Sequence, residues 1–465
     1  MAPSFQNATW GQVQSELALR LNDVNQVRWT KAECIAYLSE ALRVWQCLTQ
    51  SYVTDWTATF TQPNPAQLKV WQSTGNGLNA LVGNNPTSPR YQTLSDSDVY
   101  TVAQYHLLEP PNGNATPWTG TSMFSLTDFV NAFTRRRDQI LQISDCNVGP
   151  FDPTLEILPG TNRVQLPDSS SQSILDMRRI RYLPTIGNPA TLYRDDQMAM
   201  EYFANGFEQT FGTPLTWDVL SSPQQFITFD AKPNVPNTLD CLGILSGGVV
   251  VPPNPSPLLI PDDFSWVLKF GMMADMLSKE TESKDLTRAA YCEQRFAEGL
   301  RVMMEMPWLM QGWINNVPVD TPSFFEADQF SYEWQSDSNA MPQIIRGGID
   351  LFAVCPLIPT GTSVGITMSL VANAPIPTSD SGFVQVSRDV LDFILDEAEH
   401  LAQIKEGGAE FQESLALHQR FIQGAVETNK RLKMSGIFAS DLRRPISKED
   451  EAMPRFVLEE SNVQH

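Results

Sequence analysis

The chain has 465 residues, of which 42% are hydrophobic and 18% charged, and its formal net charge at pH 7 is −21. This length exceeds that of one ordinary domain and predicts two to four domains. The negative charge argues against general affinity for nucleic acid or for acidic membranes. No apolar run is long enough to cross a bilayer, and the first residues lack the basic and apolar regions of a signal peptide.

The cysteines are scattered along the chain, without a CxxC pair. They are Cys34, Cys47, Cys146, Cys241, Cys292 and Cys355. This spacing favours buried free thiols in a reducing compartment over a disulfide framework.

The first predicted module, residues 1–60, is a helical hairpin followed by a strand. Thr9 is suited to cap the first helix, and Thr30 with Glu33 forms a capping box for the second. Residues 53–60 alternate between apolar and polar side chains, which indicates a strand.

Residues 61–150 are predicted to form a loop-rich helical insertion. The stretch 61–91 is rich in Pro, Gly, Asn and Ser, which is typical of irregular structure. Two helices are predicted beyond it, beginning near Ser95 and Ser125.

Residues 151–250 have the period of two that predicts a β module. Residues 251–310 then predict a helical hairpin that completes the bundle. In this hairpin Pro261 precedes Asp262 and Asp263, either of which could cap the first helix. Each helix carries one apolar stripe, so the pair must be buried against something else.

Three further segments complete the predicted organisation. Residues 311–340 are aromatic and acidic without a clear period, and they are predicted to be a linker that packs on a neighbour. Residues 341–435 predict a second strand-plus-helical-hairpin module. Residues 436–465 are charged and predict an extended C-terminal arm.

The helical hairpins predicted in residues 251–310 and 341–435 resemble each other in sequence. Gln294-Arg295-Phe296 with Gly299 matches Gln419-Arg420-Phe421 with Gly424, an offset of 419 − 294 = 125. The alternative to a degenerate duplication is chance similarity between amphipathic helices. The whole pattern predicts an α+β fold. Amphipathic helical hairpins form a bundle, with an inserted, mainly antiparallel β module and a second strand-plus-hairpin copy at the C-terminus.

Motifs of enzymes are absent from the sequence, which has no GxGxxG, GxxxxGK[ST], GxSxG or HExxH. Glu397 and His400 lie one turn apart and could share a metal, but a solvated helix face is the commoner reason for such a pair. Asp96-Ser97-Asp98 lacks the other positions of a calcium loop and is better explained as a helix cap. We therefore assign no catalytic, cofactor-binding or metal-binding residues and expect no enzymatic activity.

Two basic clusters stand out in this acidic chain, at Arg135-Arg136-Arg137 and at Arg178-Arg179-Ile180-Arg181. Pairing with carboxylates, within or between subunits, explains them better than contact with nucleic acid.

The order of these modules carries a resemblance to a known family. Its strings are Leu21-Asn22-Asp23, Thr30-Lys31-Ala32-Glu33, Arg179-Ile180-Arg181-Tyr182-Leu183, Gly212-Thr213-Pro214 with Trp217, Ile227-Thr228-Phe229-Asp230-Ala231-Lys232-Pro233 and Ile260-Pro261. Over residues 9–52 and 151–306 the chain resembles the head-to-tail adaptor proteins of tailed bacteriophages, the head-completion or tail-tubular-A-like group. It is longer than a typical adaptor, because it also carries the region 61–145 and the module from 341.

The resemblance implies a virion neck protein that assembles in the host cytoplasm into a cyclic ring, usually a dodecamer. Its implied partners are other copies of itself, the portal protein, and a tail tube or nozzle protein. Double-stranded DNA would pass through the ring without sequence-specific binding, and the acidic charge would suit a channel that must not retain it. Two alternatives remain open. One is a carbohydrate-binding or carbohydrate-cleaving protein, virion-borne or secreted, that uses tryptophans and paired acids. The other is a different tail component, such as a nozzle.

Overall fold

The computed structural model combines helical bundles with mainly antiparallel sheets, which confirms the predicted α+β class. It describes residues 7–61, 79–80, 93–108, 124–144, 146–150, 155–166, 173–184, 190–203, 206–220, 226–248, 250, 255–279, 284–305, 309–330, 334, 341–346, 351–355 and 363–435. The predicted C-terminal arm at 436–465 and most of the irregular stretch at 61–91 lie outside the described residues.

The helices alternate along the chain with groups of strands. They are α1 (Trp10–Arg20), α2 (Lys31–Thr49), α3 (Asp96–His106), α4 (Leu126–Ser144), α5 (Gln197–Phe203), α6 (Ser265–Ser278), α7 (Leu286–Glu305), α8 (Phe324–Phe330), α9 (Arg388–Ile404) and α10 (Gly408–Ser435).

The strands fall into two groups. They are β1 (Val53–Thr61), β2 (Asn79–Ala80), β3 (Val148–Pro150), β4 (Leu155–Ile157), β5 (Arg163–Gln165), β6 (Ile174–Leu183), β7 (Ala190–Arg194), β8 (Thr216–Leu220), β9 (Phe226–Phe229), β10 (Asn237–Leu245), β11 (Leu309–Ile314), β12 (Val317–Val319), β13 (Gln343–Arg346), β14 (Leu351–Cys355) and β15 (Ser363–Val371). One group consists of β3 to β10, and the other consists of β1 and β2 together with β11 to β15.

Reciprocal capping fixes where the early helices begin. The backbone N–H of Thr30 donates to the Glu33 carboxylate at 2.8 Å, and the Thr30 hydroxyl accepts from the Glu33 N–H at 3.3 Å, as predicted. Corresponding pairs open α1, α3 and α4 at Thr9, Ser95 and Ser125. Each pair satisfies N–H groups that a helix start leaves without an intrahelical partner.

The long helices form two bundles. In one bundle α2 packs against α9 and α10, and α1 packs against α2 and α9. In the other, α4 packs against α6 and α7, and α3 packs against α6. The apolar stripes of both bundles merge into one buried core. The chain's own helices therefore cover the one-sided stripes that the sequence shows.

Each bundle has its own β module. The module before α6 is an eight-stranded sheet in the order β3-β10-β6-β7-β8-β9-β5, with β4 also paired to β10. The module before α9 consists of one sheet in the order β1-β15-β11-β12 and a second in the order β13-β14-β2. Separate apolar clusters fill the two modules.

Most strand pairings of the two modules correspond; the pair β4–β10 of the module before α6 has no counterpart among the described strands of the module before α9. β10 pairs with β6 and β3 as β15 pairs with β11 and β1, all antiparallel. The antiparallel pairs β6–β7, β8–β9 and β9–β5 correspond to β11–β12, β13–β14 and β14–β2. The parallel pair β7–β8 corresponds to parallel bridges that join Asp320 to Gln343 and Ser323 to Arg346.

One unit is thus inserted into the other. We call residues 93–305 the inner unit, and residues 7–80 together with 309–435 the outer unit. Each runs in the order helical pair, strands, short helix, strands, helical pair. The inner unit enters between β2 and β11 of the outer unit, so the predicted duplication extends well beyond the two hairpins.

Helix lengths and single hydrogen bonds support the same correspondence. α1 and α3 have 11 residues each, and α2 and α4 have 19 each. The N–H of Trp10 donates to the Gly382 carbonyl at 2.8 Å, and the N–H of Asp96 donates to the Ser256 carbonyl at 3.0 Å. Both bonds anchor the start of a unit to the chain just before its last hairpin.

The matched glycines have the same packing role in the two hairpins. A Cβ atom at Gly299 would lie 2.4 Å from Val267 Cγ2, and one at Gly424 would lie 2.6 Å from the Phe393 ring. In each unit the glycine lets the second helix of the hairpin approach the first closely.

The structure differs from the sequence interpretation in four places. The hairpin at 251–310, expected to complete the bundle begun by the N-terminal hairpin, packs with α3 and α4, whereas the N-terminal hairpin packs with α9 and α10. Region 61–150, expected as an insertion, supplies α3 and α4, which complete the inner bundle. Region 311–340, expected as a linker, holds β12, α8 and most of β11. The side chains of Asp262 and Asp263 do not cap α6. They accept instead from the backbone N–H groups of Thr93, Leu94 and Ala374, which belong to distant segments.

Candidate functional site: a buried polar seam between the two bundles

A group of polar side chains, all buried except the partly buried Tyr291 and His418, lies where the outer and inner bundles meet, and we call this group the seam. The outer unit contributes Glu40, Glu397, His400, Ser414 and His418, and the inner unit contributes His106, Lys269, Tyr291 and Arg295. Buried polar groups need partners to offset the loss of hydration, and here most of these partners belong to the other unit.

Lys269 occupies the centre of one end of the seam. Its Nζ lies 2.5 Å from Glu40 Oε1 and 3.1 Å from His106 Nε2. Burial lowers the pKa of Lys269, whereas the Glu40 carboxylate opposes that shift. Burial and then the nearby Lys269 lower the pKa of His106 well below its ordinary value. A neutral His106 therefore accepts a hydrogen bond from the ammonium group.

Arg295 forms the second group of contacts. Its Nη2 donates to Glu397 Oε1 at 3.0 Å, and its Nη1 lies 2.5 Å from His418 Nε2. Because a guanidinium group only donates, His418 Nε2 accepts, and Nδ1 donates to Glu397 Oε2 at 2.6 Å. Burial alone would raise the pKa of the Glu397 carboxyl, but His418 and Arg295 hold it far below its usual range.

His400 is held as one neutral tautomer. The Ser414 hydroxyl donates to the Phe411 carbonyl at 2.7 Å, so it accepts from His400 Nδ1 at 2.8 Å. His400 Nε2 then accepts from the Tyr291 hydroxyl at 2.6 Å. Burial lowers the pKa of His400 to about 3 and raises that of Tyr291 well above its ordinary value.

This arrangement is suited to fixing register. In both ion pairs the inner unit supplies the cation, Lys269 or Arg295, and the outer unit supplies the carboxylate. Buried ion pairs add little net stability over an apolar packing, but removal of one partner is costly. The seam thus disfavours any relative position of the bundles that separates these pairs.

The residues singled out in the sequence have partners within the chain. Glu397 and His400 contact different groups, so they do not form a shared ligand pair. In the described residues, no group of three or more His, Cys, Asp or Glu side chains is placed to hold a metal. Asp98 caps α3 through Ser95, as predicted. None of the six cysteines forms a disulfide; five are buried, as predicted, and Cys146 is partly exposed.

The first arginine cluster pairs with carboxylates, as predicted. Arg136 forms ion pairs with Asp275 and Glu293, both at 2.6 Å, and Arg135 also pairs with Asp275. Arg137 is fully buried and donates to the Gly248 carbonyl at 2.5 Å. In the second cluster, Arg178 forms an ion pair with Asp176 at 3.2 Å.

The sequence interpretation missed the seam. One signal was available, because Lys269 lies in the middle of a helix whose neighbours are almost all apolar. A lysine at such a position is rarely buried without a partner. His106 and Arg295 gave no comparable signal, because their partners lie far away in the sequence.

Neither a protein-family model nor a curated protein sequence matches this chain. Within the described part of the chain, no helix combines the length and the apolar character needed to cross a bilayer.

Proposed function

We propose that this protein is a structural component of a tailed-bacteriophage virion, a head-to-tail adaptor that joins the portal to the tail. In this role it forms a cyclic ring around part of the DNA exit channel, and its partners are its own copies, the portal protein and a tail tube or nozzle protein. It works as a mechanical joint and catalyses no reaction.

One observation carries the proposal. The resemblance rests on the order helical hairpin, β module, helical hairpin over residues 9–52 and 151–306. The first hairpin belongs to the outer unit and the other two elements to the inner unit, but each unit by itself contains the same order. Each helical pair packs with the hairpin at the other end of its unit, so the four long helices of a unit form one bundle beside its strands. The net charge of −21 also supports a channel role, because it disfavours retention of DNA.

The glycan alternative has less support. Tryptophans that stack on sugars need an open face, and every tryptophan side chain in the described residues is buried or partly buried. Trp217 is fully buried, and its indole N–H donates to the Leu192 carbonyl at 3.1 Å. These rings serve the core.

Localisation on the particle tests the proposal. Virions of the source phage are labelled with gold-conjugated antibodies raised against the purified chain and imaged by electron microscopy. The proposal predicts label at the junction of head and tail. Label at the distal end of the tail supports the nozzle alternative, and virions without label contradict a virion role. Binding of the chain to a glycan array, together with unlabelled virions, supports the carbohydrate alternative.

A further inference from the structure

We propose that copies of this chain dock head to tail by repeating the contact that joins its two units, with Arg420 of one copy beside Glu293 of the next. The inference deepens the proposed function, because it specifies how the ring assembles. The occupant of the open surface is a second copy of this chain, and the template for the contact is the seam.

The seam joins two different surfaces. The outer unit presents α2, α9 and α10, whereas the inner unit presents α3, α6 and α7. If the two units were related by a two-fold axis, each contact would occur twice, with the roles of the units exchanged. The counterpart of Glu40, at the same position of α4, is Arg135, and that of Lys269, 125 residues later, is Ile394, so these two residues would also be in contact. Arg135 instead is exposed and pairs with Asp275 of its own unit, and Ile394 is buried in the outer bundle. The contact is therefore of the heterologous kind that generates rings or filaments.

Each unit thus keeps part of one of the two surfaces exposed. The inner counterpart of the outer unit's seam surface includes the exposed residues Arg135 and Glu293, which correspond to Glu40 and His418. The outer counterpart of the inner unit's seam surface includes the exposed residues Glu413, Ala416 and Arg420. Docking of copies end to end would bring these two surfaces together.

The charges on the two surfaces are complementary where the seam predicts contact. In the seam, Arg295 contacts His418. Arg420 corresponds to Arg295 (295 + 125 = 420) and Glu293 corresponds to His418 (418 − 125 = 293), so the repeated contact would place Arg420 beside Glu293 of the next copy. Arg420 and Glu293 are 53% and 52% exposed. Each already has a partner in its own unit, Asp396 and Arg136, and retains half of its surface for a second one.

A second pair arises from the same mapping. In the seam, Arg288 Nη1 donates to the Ile404 carbonyl at 3.0 Å. The corresponding positions are Glu413 and Lys279, an acid and a base, and both are exposed. The counterparts of Lys269 and Glu40 are Ile394 and Arg135, which cannot form an ion pair, so the contact between copies depends on ion pairs at the surface. Surface pairs give specificity and are sensitive to salt.

Charge reversal with rescue tests the proposal on the full-length chain. Sedimentation velocity and mass photometry measure self-association of the wild type, Glu293→Arg, Arg420→Glu and the double variant. We expect each single reversal to weaken association about tenfold and the double variant to return within about threefold of the wild type. Glu305→Arg is the matched control, because it reverses an exposed acid on the same helix, outside the mapped contact. It should leave association unchanged.

The outcomes separate this inference from the proposed function. A wild type that stays monomeric at all concentrations, or assembly that neither reversal weakens, overturns the pairing. Failure of the double variant to recover, while circular dichroism shows that it is folded, also overturns the pairing. The particle location is decided independently by the gold labelling of virions.

Discussion

The seam and its two partly exposed counterparts occupy corresponding positions in two copies of one fold, yet their chemistry differs. In the seam, Glu397 and His400 are fully buried and each has partners across the interface. At the corresponding inner positions lie Met272, buried in its own bundle, and Asp275, which pairs with Arg135 and Arg136. In the seam these polar groups are satisfied across the unit boundary, whereas at the corresponding inner positions the side chain is either apolar or satisfied within its own unit.

The comparison has an energetic consequence. A buried charge that loses its partner has no access to water, whereas an exposed charge is rehydrated. Substitutions at corresponding positions should therefore lower the free energy of unfolding by different amounts, with the larger loss where the contact is buried.

The largest expected effect follows loss of the Arg295 guanidinium. Arg295→Ala leaves Glu397 buried without its cation and should lower the free energy of unfolding by about 3–5 kcal/mol. Arg420→Ala, at the corresponding exposed position, should cost about 1 kcal/mol or less. Chemical denaturation of both variants measures the difference, and equal costs would break the comparison.

A smaller effect should separate pairing from packing in the seam. Lys269→Met leaves Glu40 unpaired and should cost about 3 kcal/mol. Addition of Glu40→Leu should recover most of that loss, because two apolar groups can replace a buried ion pair at little net cost. A double-mutant cycle on the unfolding free energies quantifies the coupling. Additive costs would show that the two side chains do not interact.

The glycines allow a comparison in which the two units should agree. Gly299→Ala and Gly424→Ala each place a methyl group within 2.6 Å or less of a neighbouring side chain. Overpacking of this kind should cost about 1–3 kcal/mol in each hairpin. Thermal and chemical unfolding of both variants provide the measurement. A neutral substitution at one site alone would show that the two hairpins pack differently.

The smallest effect concerns pH. The pKa of His400 is about 3 in the folded chain, and about 6.5 is ordinary for an unfolded one. As pH falls below 6.5 the unfolded state binds the proton first, so stability decreases. The expected slope is about 1.4 kcal/mol per pH unit for this group. Melting temperatures at pH 7, 6 and 5 should fall, and His400→Gln should flatten the decrease. An unchanged slope in that variant would place the sensitivity elsewhere.

Local patterns predicted much of this fold. The capping box at Thr30 and the strand beginning at Val53 were accessible because neighbouring residues determine them. The 125-residue match likewise identified two equivalent hairpins, because close packing of a helical pair restricts certain positions to glycine.

The nesting of the two units was not accessible in the same way. The first helical pairs of the units share their capping pattern and lengths, but their apolar side chains differ, so no string of residues links α2 to α4. The seam depends on contacts between residues as far apart as Glu40 and Lys269. Such contacts follow from the topology, which periodicity alone does not determine.

The central claim is that one chain contains two copies of a unit, and that the contact between these copies is repeated between chains. Electron cryo-microscopy of the self-assembled protein tests this claim most directly. The account predicts a closed ring in which contacts within and between chains are related by similar rotations, with Arg420 beside Glu293 of the neighbouring chain. A two-fold dimer, or a ring joined through the β modules alone, would contradict it.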